Sequence, residues 1–218
     1  MPTCIPAAFS IAVAARTSST VTPAVAADLK ALGCFRVWIG SESGSQRILD
    51  AMERGVTVDE VRAATAMLKA AGMQVGMFLM WGYEGEDESD IALTIEHVKR
   101  TDPDVFLTTV AYPIRGTPYF DAVADRLAVP EDWAGATDRD YRVRGRHSKR
   151  YYGFVSRRLR YEVALDRWRR GPARPVGPLL RSAVGVAQAR LGMRLSAGEV
   201  EADVDVAGQL DRRGGSRR

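Results

Sequence analysis

The sequence predicts an α/β protein built on a parallel sheet and continued by a basic, mainly helical extension. Short apolar or β-branched runs alternate with helix-length amphipathic segments from Phe9 to Pro118. Strand-helix-strand repetition of this kind builds right-handed βαβ units. Charge marks the extension. Met1–Thr137 holds 11 basic and 18 acidic residues, a net −7, whereas Asp138–Arg218 holds 20 basic and 9 acidic residues, a net +11. A sign change of that size marks a change of domain or of partner.

The elements follow in order. Phe9–Ala15 reads as a strand. Thr22-Pro23 supplies an N-cap and a first helical residue, and Gly33 stops the helix after Leu32. Cys34–Gly40 is aromatic, β-branched and short, as a strand is. A short helix over Gln46–Glu53 ends at Gly55. Thr57-Val58-Asp59-Glu60 is a capping box, after which Val61, Ala64, Leu68 and Ala71 form one apolar stripe that Gly72 closes. Gln74–Trp81 is nearly continuously apolar, as expected of a parallel strand covered on both faces. Gly82–Glu86 breaks it. Ser89–Arg100 starts acidic, ends basic and carries Ile91, Ile95 and Val98 on one face. Asp104–Ala111 is the next strand, and Pro113–Pro118 a rigid turn into another short helix. Val129–Arg150 reads as a polar loop, Tyr151–Arg170 as a helix, Gly171–Pro178 as a break, and Leu179–Leu191 as a last helix. The tail after Gly208 is polar and reads as disordered.

A chain of 218 residues has room for one domain and an appendage. No apolar run approaches the roughly 20 residues that span a membrane. Ile5–Ala15 followed by Arg16 resembles a signal peptide but lacks a basic n-region, and Phe9–Val13 reads as a strand. Two cysteines, Cys4 and Cys34, make neither a disulfide framework nor a C-x-x-C pair, so a reducing cytoplasm is the expected compartment. Two histidines, His97 and His147, poorly supply a metal site or a Ser-His-Asp triad. His97, beside Glu96 on a helix, is expected to be exposed.

Gly33–Gln46 concentrates the chemistry. A strand runs into a small polar turn with one carboxylate, Glu42, at its mouth. In a barrel of βα units, ligands are held at the carboxyl ends of strands. Glu42 accepts through two oxygens and so suits the paired hydroxyls of a ribose; the alternative is a cap on the following helix. Ser43, Ser45 and Gln46 read as caps. Gly82 and Gly85 let backbone approach a flat ring and offer free amides to adenine edges, or simply make a turn. Pro113 and Gly116-Thr117 form another tight loop. Arg115 faces solvent or meets an anion. Met77–Trp81 reads as core. In the extension, arginines interleave with Tyr141, Tyr151, Tyr152 and Phe154. Residues 139–194 therefore suit an anionic partner, either RNA or a membrane surface, or else a solvated helical extension packed on the open side of the sheet.

Three ordered segments carry a resemblance: Gly40–Leu49, Gly76–Glu86, and Ala111-Tyr112-Pro113 with Gly116-Thr117-Pro118. Over about Phe9–Arg126 the chain resembles the catalytic domain of radical S-adenosylmethionine (radical SAM) enzymes. It is most similar to the branch that often carries a cobalamin-binding domain, and next to the methylthiotransferases. The resemblance implies a partial, TIM-barrel-like (βα) barrel, comprising strands three to six of six, with S-adenosylmethionine and a 4Fe-4S iron-sulfur cluster as cofactors and cobalamin in the parent family only. It implies cofactor contacts from Glu42, Ser41, Gly82, Gly85, Glu86, Pro113, Gly116 and Thr117. Glu84 stands where the family usually has proline. The C-x-x-x-C-x-x-C cluster loop is missing, and Cys4 cannot replace it. The expectation is a truncated domain over 1–127, a polar basic linker over 128–150, a helical basic extension over 151–207 and a disordered tail over 208–218. Alternatively the chain is a non-catalytic or split-gene half, completed by an upstream polypeptide.

Overall fold

The computed structural model describes residues 9–13, 21–128, 137, 141–171 and 175–201. Cys4, half of the segment read as a loop and the tail after Gly208 lie outside the described residues. Four parallel strands form one sheet in the order β1-β2-β3-β4: β1 Phe9–Val13, β2 Cys34–Glu42, β3 Gln74–Trp81 and β4 Val105–Val110. Between them run α1 (Pro23–Ala31), α2 (Gln46–Ala51), α3 (Val58–Ala70) and α4 (Glu88–Thr101).

The helix starts are written locally. Thr22 Oγ1 accepts from Val25 N at 3.2 Å while Pro23 fills the first turn of α1. Thr57 and Glu60 close the capping box of α3. Asp87 and Asp90 make a second capping box, so α4 begins at Glu88, one residue before the sequence signal. Such caps contribute about 1 kcal/mol each.

A sheet whose strands advance in one direction through right-handed crossovers carries all its helices on one side. Val75, Met77, Leu79 and Trp81 of β3 all point there. The first two join Val37, Ile39, Val61, Ala64 and Leu68 in one core, and the last two join Ile91, Ile95 and Val98 in another. The other face holds Trp38 stacked on Phe78, with centroids 5.0 Å apart, over Gly76, where a side chain would strike the indole. Phe78 and Leu107 remain exposed there. The arrangement is an arc of a (βα) barrel whose inner face is uncovered among the described residues. Gln74–Trp81 is therefore covered on one face only, and its unbroken apolarity reflects a lumen-facing row as well as a core row.

After β4 the chain forms α5 (Pro118–Ala122), a single 3-10 turn (Ala124–Arg126) and β5 (Leu127–Ala128), which pairs antiparallel with β6 (Arg142–Val143). The segment read as loop thus contains a strand, and the expected boundary between 127 and 128 falls inside β5. The extension is two long helices, α6 (Lys149–Arg170) and α7 (Val176–Ser196), each longer than its apolar stripe announced. They do not lie on the open side of the sheet. Val155, Leu159 and Val163 of α6 join Leu79, Trp81 and Ile95, so α6 occupies the outer helix layer beside α4. Ser156 Oγ takes Trp81 Nε1 and lies 3.1 Å from Thr108 Oγ1. Helix α7 packs on α6 through Ser182, Gly185, Ala189, Gly192 and Ser196, and added Cβ atoms at Gly185 and Gly192 would lie 2.5 and 2.4 Å from the rings of Tyr161 and Phe154.

Gly192→Val is expected to cost about 1–3 kcal/mol through overpacking against Phe154. Gly153→Ala, whose Cβ meets nothing within 4 Å, should instead stabilise the helix by about 0.4–1 kcal/mol. Thermal unfolding followed by circular dichroism checks both signs.

Candidate functional site

The carboxyl end of β2 is shaped by three serines spaced two apart. Ser41 ends the helix-facing row of β2, and Ser43 and Ser45, in the turn that follows the strand, address the same neighbour. That neighbour is α4, which offers Asp90, Thr94 and His97 on one helical face. Ser41 Oγ lies 3.0 Å from His97 Nε2, Ser43 Oγ 3.1 Å from Thr94 Oγ1, and Ser45 Oγ donates to Asp90 Oδ1 at 2.7 Å. Gly44 lies flat on the helix, where a Cβ would come 2.6 Å from the Leu93 carbonyl, and its amide donates to Thr94 Oγ1 at 2.9 Å. Arg47 ties the next turn down by reaching Asp90 Oδ2 and the Gly85 carbonyl.

This seam holds Glu42 in the left-handed region, with φ of 55°, beside a bulge in the β2–β3 register. A non-glycine residue there carries about 1–2 kcal/mol of strain, and strain of this kind persists where the surroundings over-determine it. Glu42 Oε1 pairs with Arg54 Nη2 at 3.1 Å, and Oε2 has no partner among the described residues. Burial pushes the Glu42 carboxyl above its usual range, with the Arg54 guanidinium acting against it. Glu42 is not a helix cap. Helix α2 starts at Gln46, with Ser45 at the cap position and its hydroxyl spent on Asp90.

At the end of β3, Gly82 has φ of 71° and Gly85 of 79°. The Gly82 amide is not free: it donates to Glu86 Oε2 at 2.6 Å. Glu86 Oε1 is buried without a partner among the described residues. Burial above all pushes the Glu86 carboxyl up to about 8, the Gly82 amide opposing this and the charges of Asp90 and Asp87 adding to it. Glu84, in the family's proline position, pairs with Arg126 at 2.6 Å and restores some stiffness to the loop. Beyond β4, Pro113 and Gly116 shape an open turn, with nothing within 4 Å of a Cβ at Gly116, and Thr117 caps α5. Arg115 Nε donates to Tyr141 Oη at 2.9 Å rather than standing in solvent.

The extension takes part in this end of the molecule. A Cβ at Gly82 would lie 2.7 Å from Tyr152 Oη of α6. Arg146 donates to the Ala111 carbonyl and pairs with buried Glu201 at 2.8 Å. The sequence motifs gave no sign of Tyr152, Arg146 or Arg54 here, because these contacts join residues remote in the chain.

Seven of the eight expected contacts, all but Ser41, sit at or after the carboxyl ends of β2, β3 and β4, with Gly82 and Pro113 buried and Gly85 and Gly116 exposed. Ser41 is fully buried against His97, on the helix side of the sheet, and presents nothing to a ligand. His97 is fully buried rather than exposed. Its neighbour Glu96 faces water, but a helix turns 100° per residue and carries His97 under Gly44. Burial first, and then Arg62, pushes its imidazole down to about 4. Cys34 is buried at the opposite end of β2, with its Sγ donating to the Arg36 carbonyl. No group of three metal-binding side chains exists among the described residues, and two cysteines in the whole sequence cannot supply three thiolates to a cluster.

Asp90→Ala strips Ser45 and Arg47 of a shared partner and should cost about 2 kcal/mol, or about 4–8 °C in Tm. The two shifted groups predict opposed pH dependences. Glu86, raised from 4.5 to about 8, contributes stability below pH 4.5 that is lost as pH rises to 8. His97, lowered from 6.5 to about 4, contributes stability above pH 6.5 that is lost as pH falls to 4. Stability should therefore decline from pH 6.5 to 8 in the native protein, and Glu86→Gln should flatten that limb in urea titrations.

Residues 8–98 match the family model described as the radical SAM superfamily. An uncharacterized methyltransferase of Pyrococcus horikoshii is 30% identical over 131 residues, covering 59% of this chain and 28% of that protein. A tRNA-2-methylthio-N(6)-dimethylallyladenosine synthase of Geotalea uraniireducens is 33% identical over 95 residues, covering 41% and 22%. The chain thus spans about a quarter of the length of these relatives. Among solved structures, the Elp3 of Methanocaldococcus infernus overlays with a TM-score of 0.48 at 23% identity, covering 53% of this chain and 28% of that one. The stretch that matches the radical SAM superfamily model, residues 8–98, takes in the strained Glu42 loop and the Gly82–Glu86 turn.

Proposed function

We propose that this chain forms the S-adenosylmethionine-cradling arc of a radical SAM enzyme of the methyl- or methylthio-transferring kind, and that cluster-ligating cysteines come from outside these 218 residues. The observation that carries the reading is Glu42, held in strained backbone at a strand end with one oxygen pinned by Arg54 and the other unengaged. A carboxylate so placed accepts from the hydroxyls of a ribose. Glu86, whose carboxyl burial raises to about 8, accepts from the Gly82 amide beneath the same strand ends. Gly85, Pro113, Gly116 and Thr117 leave backbone at the same mouth for a flat ring. Because the chain lacks the thiolates for an iron-sulfur cluster, no redox step is assigned to it.

A second reading, in which the chain is a non-catalytic half that another polypeptide completes, is favoured by the bare inner face. Trp38, Phe78 and Leu107 there, and the free edges of β1 and β4 among the described residues, invite a protein partner.

Isothermal titration of the chain with S-adenosylmethionine tests the first reading. Measurable binding, weakened about tenfold or more by Glu42→Gln (about 1.4 kcal/mol), is expected; equal binding by both proteins would sink Glu42 as the ribose acceptor. Anaerobic reconstitution with iron and sulfide should yield no stoichiometric cluster and no 5′-deoxyadenosine. A cluster that cleaves S-adenosylmethionine would overturn the assignment of its ligands to a segment outside these residues.

A further inference from the structure

Helix α7 is apolar on two opposite sides, and α6 covers only one. The small residues Ser182, Gly185, Ala189 and Gly192 face α6. On the other side Val176, Leu180, Val184, Leu191 and Leu195 are 49–71% exposed. The exposed stripe has its own period: Val176, Leu180 and Val184 recur eleven residues later as Ala187, Leu191 and Leu195. An eleven-residue repeat is close to the pitch of an undistorted helix, so the stripe runs nearly straight for about 30 Å. An apolar row of that length on a folded surface marks an interaction site.

The charges around the stripe identify its partner. Residues 149–196 hold 12 basic and 2 acidic residues. Several arginines are consumed internally: Arg158 and Arg190 on Glu162, Arg167 on Asp102, and Arg170 on Asp166. Arg157, Arg160, Arg181 and Arg194 have no carboxylate within 4.0 Å among the described residues. Three of them, Arg157, Arg160 and Arg181, line a cleft of about 400 Å³ between α6 and α7, floored by Phe154 and Tyr161. Arg181 follows Leu180 and stands one helical turn before Val184, which puts the cleft at the margin of the stripe.

A second copy of the chain fits poorly. Each α7 brings three arginines and no carboxylate, so pairing the stripes sets like charges side by side. A nucleic acid would use the arginines but leave the leucines in water. An anionic lipid surface uses both, since an apolar stripe with a basic margin sinks into the headgroup boundary. No helix among the described residues is long and apolar enough to cross a membrane, which leaves lying on the surface as the mode of contact.

We propose that the outer face of α7 docks on an anionic phospholipid bilayer, with Leu180, Val184, Leu191 and Leu195 entering the headgroup region and Arg157, Arg160 and Arg181 meeting lipid phosphates. The test is flotation of the full chain with vesicles of phosphatidylcholine, alone or doped with phosphatidylglycerol, at low and high salt. Partition onto the anionic vesicles alone, weakened by salt, is expected. Leu180→Ser with Leu191→Ser should cut it by about tenfold or more. Arg157→Gln with Arg160→Gln and Arg181→Gln should abolish the anionic preference without lowering Tm, because these side chains hold no ion pair among the described residues. Binding to neither vesicle, equal binding to both, retention on single-stranded RNA alone, or a solution dimer that Leu191→Ser dissociates would each overturn the proposal.

Discussion

The end of the sheet depends on one seam, in which Ser41, Ser43 and Ser45 pair in turn with His97, Thr94 and Asp90. Only Ser41 belongs to the strand; Ser43 and Ser45 meet the helix because the turn after β2 runs closely along it. Gly44 permits that approach. With the flanking residues fixed, the backbone at Glu42 has little freedom to relax, and the left-handed conformation is retained. The buried hydrogen bonds thereby hold the strain that aims the carboxylate.

The same seam explains why the helix side of the sheet is closed while the lumen side is open. Helix α4 is locked to β2 through polar pairs and to β3 through Leu79 and Trp81. It then forms the wall against which α6 packs. The extension thus continues the outer helix layer, and its first turn brings Tyr152 against Gly82. Burial, and next the Glu86 charge, raise the Tyr152 hydroxyl well above its ordinary range, so it stays a neutral donor beside the mouth. Arg146 and Glu201, buried together, fasten the far end of the extension to the end of β4. A region that the charge count marks as separate is therefore joined to the catalytic-type end of the sheet.

Much of the fold was legible because its signals are local. Thr57 and Glu60 announce α3, Gly33 and Gly72 end their helices, and apolar runs locate β2, β3 and β4. The candidate site was legible only as a set of strand ends: Glu42, Gly82, Gly85, Glu86, Pro113, Gly116 and Thr117 lie at or after them. What failed was facing. His97 beside Glu96 looked exposed, and Ser41 beside Glu42 looked like part of the mouth, yet both are buried against each other. Adjacent residues on a strand or helix point in different directions, and only the neighbour they meet decides which one is covered.

The sequence by itself determined the βα succession, the strand-end position of Glu42, the shortage of thiolates and the basic character of the extension, since each is a matter of local pattern or count. The tertiary structure alone decided that Arg54 pins Glu42, that Glu86 occupies the Gly82 amide, that α6 joins the outer layer and that α7 keeps a leucine row uncovered. Those outcomes bring together residues far apart in the chain, and they follow from which faces close packing can bury. No local spacing encodes that choice.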